Sequence, residues 1–183
     1  MDVRKPLLNL LAQYSPTDFY EIASKRVMVE FVEQNKHCFE RSLECGHITA
    51  SAWLLNKNKT HALLMHHAKL NAWFQLGGHC DGESDVLAVA IKEAQEESGI
   101  MAIEPLSRVI FDIDVHRIPT NSKEKEHYHY DVRFLLRVTS DEDVVCSHES
   151  KELRWIGKDM SALPTNSTSV VRMFHKWAAL GSV

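Results

Sequence analysis

The sequence predicts an α/β fold of α+β layers, in which a mixed sheet is sandwiched between helices and an N-terminal helical extension precedes it. Three observations predict it: apolar residues at helical spacing before residue 45, strand-like runs from Ile48 onward, and a central and a terminal segment that return to helical spacing. At 183 residues and 44% apolar content, the chain suffices for one buried core with a short appendage, and is too short for two ordinary domains. On this reading residues 1–45 form the extension and residues 46–183 the main domain.

The elements follow in order. "PLLNLLAQY" is a short helix. Ser15 followed by Pro16 reads as an N-cap and first-turn proline, with Phe19, Ile22, Ala23, Val27, Phe31 and Val32 at helical spacing behind them. An apolar stripe of this kind must be buried, by packing within the chain or in a homodimer. "ITASAWLL" and "HALLMHH" flank the polar turn "NKNKT", a pattern that suits a hairpin. A Gly-rich turn then leads into a helix from about Asp85 to Ser98, with Val86, Val89, Ala90 and Ala94 as its buried stripe and Gly99 as a left-handed C-terminal cap. "SRVIFDIDVHRI" and "HYHYDVRFLLRV" are strands separated by the polar loop "PTNSKEKE", and they suit an antiparallel pair. "KELRWIGK" is the last strand, and "STSVVRMFHKWAALG" is an amphipathic helix with Val170, Val171, Phe174 and Trp177 on one side.

Composition narrows the function. No apolar run is long enough to cross a membrane and the N-terminus lacks the form of a cleaved signal, so a cytoplasmic protein without a membrane partner is expected. Cys38, Cys45, Cys80 and Cys146 show neither a CxxC pair nor zinc-finger spacing, which predicts reduced thiols. The formal net charge of -4 gives no broad attraction to phosphate backbones, so nucleic acid is not the expected partner.

The chemistry concentrates in "GGHCDGESDVLAVAIKEAQEESGI", residues 77–100. Glu93, Glu96 and Glu97 fall within one helical turn of each other, where like charges raise one another's pKa. A solvated acidic face is one reading of such a helix; a cage for a hard divalent cation is the other. Mg²⁺ takes oxygen ligands, keeps waters and is completed by substrate phosphates, which suits an all-oxygen cluster better than zinc does. Gly77, Gly78 and Gly82 precede the helix and can present backbone groups to a ligand.

This stretch resembles the Nudix box, Gx5Ex7REUxEExGU with U aliphatic. Aligning "EESG" places Glu96 and Glu97 on the paired acids, Gly99 on the last glycine, Ile100 on the final aliphatic, Glu93 on the acid of the RE pair and Gly78 on the first glycine. Two positions depart from the pattern. Ser84 stands where the first Glu belongs and reads as the helix N-cap, with Glu83 or Asp85 as the nearby acid. Lys92 stands where the Arg belongs, keeping its charge and losing its planar fork. The order of elements over about residues 46–180 fits a Nudix α/β/α sandwich, with residues 1–45 an addition.

The resemblance implies a pyrophosphohydrolase acting on a nucleoside diphosphate linked to another group, with Mg²⁺ or Mn²⁺ as cofactor. Nucleotide sugars, nucleoside triphosphates, dinucleotides and capped RNA ends all remain open as substrates. Glu93, Glu96 and Glu97 become metal ligands, with the backbone carbonyl of Gly77 a further one. The general base is either Glu93, in the box, or Glu149, on the loop of "ESKELRW", with Glu152 a weaker alternative. Lys69 and Arg133 are candidate phosphate contacts, alongside Gly78 and His79 in the loop, and each basic residue reads equally as a surface charge. Trp53, Trp73 and Phe74 either stack on a base or pack the core. A catalytically weak or inactive nucleotide-binding, regulatory module is the alternative, suggested by Ser84, Lys92 and the helical extension. An isomerase acting on an isoprenoid diphosphate is a third.

Eleven histidines are many for this length. His127, His129 and Asp131 alternate on one strand face, and His116 joins them if the two strands pair. Three imidazoles and a carboxylate would suit a second metal such as Zn²⁺, while histidines on strands also pack, bind substrate or face solvent.

Overall fold

The computed structural model describes residues 2–120 and 125–181, so residues 121–124 of the polar loop lie outside the described residues. The elements are α1 (Lys5–Gln13), α2 (Phe19–Gln34), β1 (Gly46–Leu55), β2 (His61–His67), β3 (Ala72–Phe74), β4 (Leu76–His79), α3 (Val86–Ser98), β5 (Ile103–Pro105), β6 (Asp112–Ile118), β7 (His127–Val138), β8 (Ser150–Gly157), a 3₁₀ turn at Met160–Ala162 and α4 (Thr168–Ala179). Among the described residues the strands form one sheet of eight in the order β3-β2-β1-β7-β5, with β4 beside β1, β6 beside β7 and β8 beside β2. The expected α/β class, with helices and a mixed sheet, is the one found. Among the described residues no helix is long and apolar enough to cross a membrane.

The chain divides into two compact units. One comprises Met1–Ser51, Gly78–Ala90 and Arg108–Phe134, and the other Ala52–Gly77, Ile91–Ser107 and Leu135–Val183. In the first, α2 departs from its sequence reading. Its N-cap is Asp18, whose side chain accepts the Glu21 N–H at 3.1 Å, rather than Ser15, and residues 35–45 form turns rather than helix. An acid three residues before the first-turn Glu satisfies an orphan N–H that Ser15 is too far away to reach.

The buried face of α2 is also rotated from the one expected. Glu21, Ser24, Met28, Phe31 and Val32 point inward, whereas Phe19, Ile22 and Val27 face solvent. Glu21 explains this. Its carboxylate accepts the Tyr14 hydroxyl and, at 3.3 Å, the Ile113 N–H, and these partners offset burial of a charge that the apolar pattern alone would place outside. Phe31 stacks on Tyr130 with ring centroids 3.8 Å apart and so fixes the helix over β7. β6 is shorter than its sequence segment and starts at Asp112, yet it pairs with β7 as expected, antiparallel, with His116 opposite His129 and Asp114 opposite Asp131.

In the second unit, Leu54 pairs with Leu63 across the "NKNKT" turn, which bears out the hairpin. β2 is flanked by β3 and β8, with Met65 opposite both Phe74 and Leu153. Trp53 is fully buried with its ring 6.1 Å from Trp177 of α4, so it belongs to the core and not to a base-stacking site. Val170, Met173, Phe174 and Trp177 recur every three or four residues as the inner face of α4.

The central helix α3 has Val86, Val89, Ala90 and Ala94 buried, as its periodicity predicts. Asp85, not Ser84, is its cap: the Asp85 Oδ1 accepts the Ala88 N–H at 3.1 Å. The carboxylate is the stronger acceptor, and it also places a negative charge at the positive end of the helix dipole. At the other end Gly99 has φ 77°, and a Cβ there would lie 2.8 Å from that of Val145. The left-handed turn and the contact with Val145 both require glycine at this position.

Candidate active site

The second half of α3 carries the acids. Glu97 is almost completely buried, Glu93 is mostly covered and Glu96 lies open to solvent. Glu97 is buried with the inner residues of the helix, so it needs a partner on the inside. Gly77 supplies it, its backbone N–H donating to Glu97 Oε2 at 2.8 Å. One neutral hydrogen bond is not enough to stabilise a buried charge. Burial, followed by the like charges of Glu93, Glu149 and Glu96, pushes the Glu97 carboxyl up to about 8 against the opposing pull of the Gly77 N–H.

The same electrostatics bring Glu149 into the group, since its charge is felt at Glu97. Glu149 sits on the turn that enters β8, and its carbonyl accepts the Ala68 N–H at 2.8 Å. Its carboxylate is half-exposed. Lys69 is exposed on the turn after β2, next to Ala68, with its backbone N–H donating to His67 Nδ1 at 3.2 Å. Burial lowers the pKa of His67, the Glu149 charge raises it and the Lys69 charge lowers it, so both charges lie within electrostatic reach of one imidazole. Glu152 is engaged elsewhere, bound to Arg154 at 2.7 Å. Arg154 in turn lies 4.5 Å from the ring centroid of Trp73, which is half-buried and stacked on His66.

Lys92, in the place of the motif's Arg, is exposed and lies 3.7 Å from Glu93 and 3.6 Å from Glu96. These are ion-pair distances without hydrogen-bond contact, as expected of a flexible ammonium where a guanidinium would fork. Ser84 lines a groove in the first unit together with Leu7, Leu10, Val86 and Arg108. That groove holds none of the expected catalytic acids.

The first unit contains a second polar array, which the sequence reading saw only in part. Side chains two residues apart on three strands share one face: His47, Thr49 and Ser51 on β1, Asp112, Asp114 and His116 on β6, and His127, His129, Asp131 and Arg133 on β7. Arg133 is fully buried. Its Nε lies 2.7 Å from Asp131, its Nη1 3.0 Å from Asp112 and its Nη2 3.5 Å from Asp114. The three carboxylates raise its already high pKa further against desolvation. The sequence reading had Arg133 as a phosphate contact, whereas the structure places its guanidinium inside this carboxylate cluster with almost no exposure.

Asp131 also accepts the Ser51 and Thr49 hydroxyls at 2.8 and 3.0 Å, which ties it into the Arg133 cluster. His116 is held by Asp114, with Nδ1 2.9 Å from Oδ2. The residue that joins His127 and His129 is His47 of β1. One ring nitrogen of each of these three lies within 4.8 Å of the others. His79 adjoins them, its ring centroid 5.0 Å from those of both His47 and His129. Burial and then the neighbouring histidines push His129 down to about 2, which keeps it neutral. His47 was missed, although the alternation His-x-Thr-x-Ser in an otherwise apolar strand is a polar-inside signal.

Comparison with known proteins agrees with the box and the fold. The model of the NUDIX domain matches residues 46–176. An Ap4A hydrolase of C. elegans in a binary complex is 19% identical at TM-score 0.55, covering 72% of this chain and 95% of its own. A NUDIX-family hydrolase of Clostridium perfringens is 23% identical at TM-score 0.54, covering 72% and 95%. The E. coli dihydroneopterin triphosphate pyrophosphohydrolase is 13% identical at TM-score 0.55, covering 72% and 94%. No curated protein matches the chain in sequence.

Proposed function

The chain belongs to the Nudix family, and on that premise we propose that it is a Mg²⁺-dependent pyrophosphohydrolase cleaving the diphosphate linkage of a nucleoside diphosphate derivative. The observation that carries the reading is Glu97, a carboxyl held inside by the Gly77 N–H among three other acids, whose ionised form would be favoured by a cation. The donor set is all oxygen, as Mg²⁺ or Mn²⁺ prefers. Glu93, Glu96 and Glu97 would hold the ion, with the Gly77 carbonyl as a further ligand. Bound there, the metal would neutralise phosphate charge and acidify an attacking water.

The remaining chemistry falls to the protein's own groups. Gly77 orients Glu97 through its N–H. Glu149, half-exposed and close enough for its charge to be felt at Glu97, is placed to accept the proton of the attacking water in preference to Glu93, which would serve as a metal ligand. Lys69, exposed beside Glu149, meets the phosphate charge in place of Arg133. Two of the relatives named above carry names that denote nucleotide-like polyphosphates, which supports a substrate of that class. The amphipathic α2, with Phe19, Ile22 and Val27 outward, supports a homodimer through that face. The test is incubation with Mg²⁺ and a panel of nucleotide sugars, nucleoside triphosphates, dinucleotides and capped RNA. Release of a mononucleotide or phosphate by the parent and not by Glu97→Gln supports the reading. Equal release by both, or none by either, refutes it.

A further inference from the structure

We propose that His47, His127 and His129 form a second metal site, separate from the carboxylates of α3, that takes one divalent transition ion of the zinc class through three imidazole nitrogens. Three independent features support it. The first is geometry. His127 Nε2 lies 3.2 Å from His129 Nε2, which matches the spacing of about 3.3 Å between two nitrogens bound at 2.0–2.1 Å to a tetrahedral Zn²⁺. The nitrogens of the three-residue set lie within 4.8 Å of one another, so ring rotations that draw them in by up to ~1.5 Å complete the site.

The second feature is orientation. The Nδ1 of His127 donates to the Lys125 carbonyl at 2.8 Å, which leaves its Nε2 lone pair turned to the cluster. This is the support that metal-binding imidazoles characteristically receive from behind. His116 adjoins the group with its ring 5.5 Å from that of His129, and its Nδ1 is fixed by the Asp114 carboxylate.

The third feature is ligand type. Imidazoles select a borderline ion over Mg²⁺, and the all-carboxylate face of α3 makes the opposite choice, so the two sites divide the metals by ligand type. Three protein ligands leave a fourth position for water or a small ligand.

The experiment uses the full chain, stripped with a chelator and then titrated with Zn²⁺ alone and, in parallel, with Co²⁺ read by its visible absorption. Folding of every variant is checked by circular dichroism. The expected result is one equivalent of Zn²⁺ per chain and a rise in Tm on loading. His129→Gln and His47→Gln should each weaken Zn²⁺ binding by more than about a hundredfold, since loss of a mere supporting partner costs 10–100-fold. Glu97→Gln should retain it in full, which separates this site from the carboxylate site whatever the latter proves to do. No stoichiometric Zn²⁺, binding unchanged in folded His129→Gln, a Co²⁺ spectrum without nitrogen-ligand character, or loss of binding in Glu97→Gln would each overturn the proposal.

Discussion

The acid face of α3 and the polar array of β1, β6 and β7 both bury carboxylates, and they treat that charge in opposite ways. In the array, Asp112, Asp114 and Asp131 face a guanidinium brought by the same sheet, and Asp131 gains two hydroxyls as well. On α3, Glu97 has one backbone N–H and three like charges for company. A compensated cluster serves the fold, because its partners are present from the moment the strands pair. An uncompensated one is open to a ligand, because the missing charge must come from outside.

The largest effect that this contrast predicts is on stability. Arg133→Met strips the array of its cation and should destabilise the protein by about 3–5 kcal/mol, seen as a lower denaturation midpoint in urea. A midpoint within error of the parent would show that the array is not charge-coupled. Glu97→Gln should act the other way round, with turnover down by about a hundredfold or more and the fold intact. Its stability effect depends on pH. Between the ordinary value of 4.5 and about 8 the folded protein holds a proton on Glu97 that the unfolded chain has released, so the parent loses stability as pH rises through that window and levels off above it. Glu97→Gln should abolish that slope, and equilibrium unfolding at pH 5 and pH 8 measures it. A parent more stable at pH 8 through this group would contradict the reading.

Smaller effects test the edges of the comparison. Glu149→Gln should lower kcat by about 10²-fold with Mg²⁺ affinity retained, as expected of a base and not a ligand. If kcat holds and metal affinity falls, Glu149 belongs with the ligands. Asp85→Ala should cost about 1 kcal/mol by uncapping α3, against a near-zero effect for Ser84→Ala. Lys92→Arg should be the mildest, changing activity by less than about fivefold, because the Lys92 ammonium itself is solvent-exposed and without hydrogen-bond contact to Glu93 or Glu96.

The two regions differ as well in what the sequence discloses. The acids of α3, its apolar stripe and Gly99 lie within one continuous helix, so their spacing alone places them on a common face. The imidazole site needs His47 and His129, distant in sequence, to be neighbours through strand pairing that no local pattern specifies. His116, His127 and His129 were within reach because a single hairpin joins them, whereas the bonds of Asp131 to Ser51 and Thr49 were not, because period two cannot tell which neighbour a side chain will meet. Arg133 looked available for the same reason. The inner face of α2 was misread because Tyr14 and Ile113 make it possible to bury Glu21, and such partners override an apolar pattern. The cap of α3 was misplaced by one residue, a choice between Ser84 and Asp85 that only hydrogen-bond geometry settles.

The central claim is that Glu97 waits for a cation. It is tested most directly by following the Glu97 carboxyl by ¹³C NMR across pH, with and without saturating Mg²⁺. Without the ion its pKa should lie near 8, and with it below about 5, because a bound divalent charge favours the carboxylate. An ordinary carboxylate value without the ion, or a raised value that Mg²⁺ leaves in place, would contradict the account.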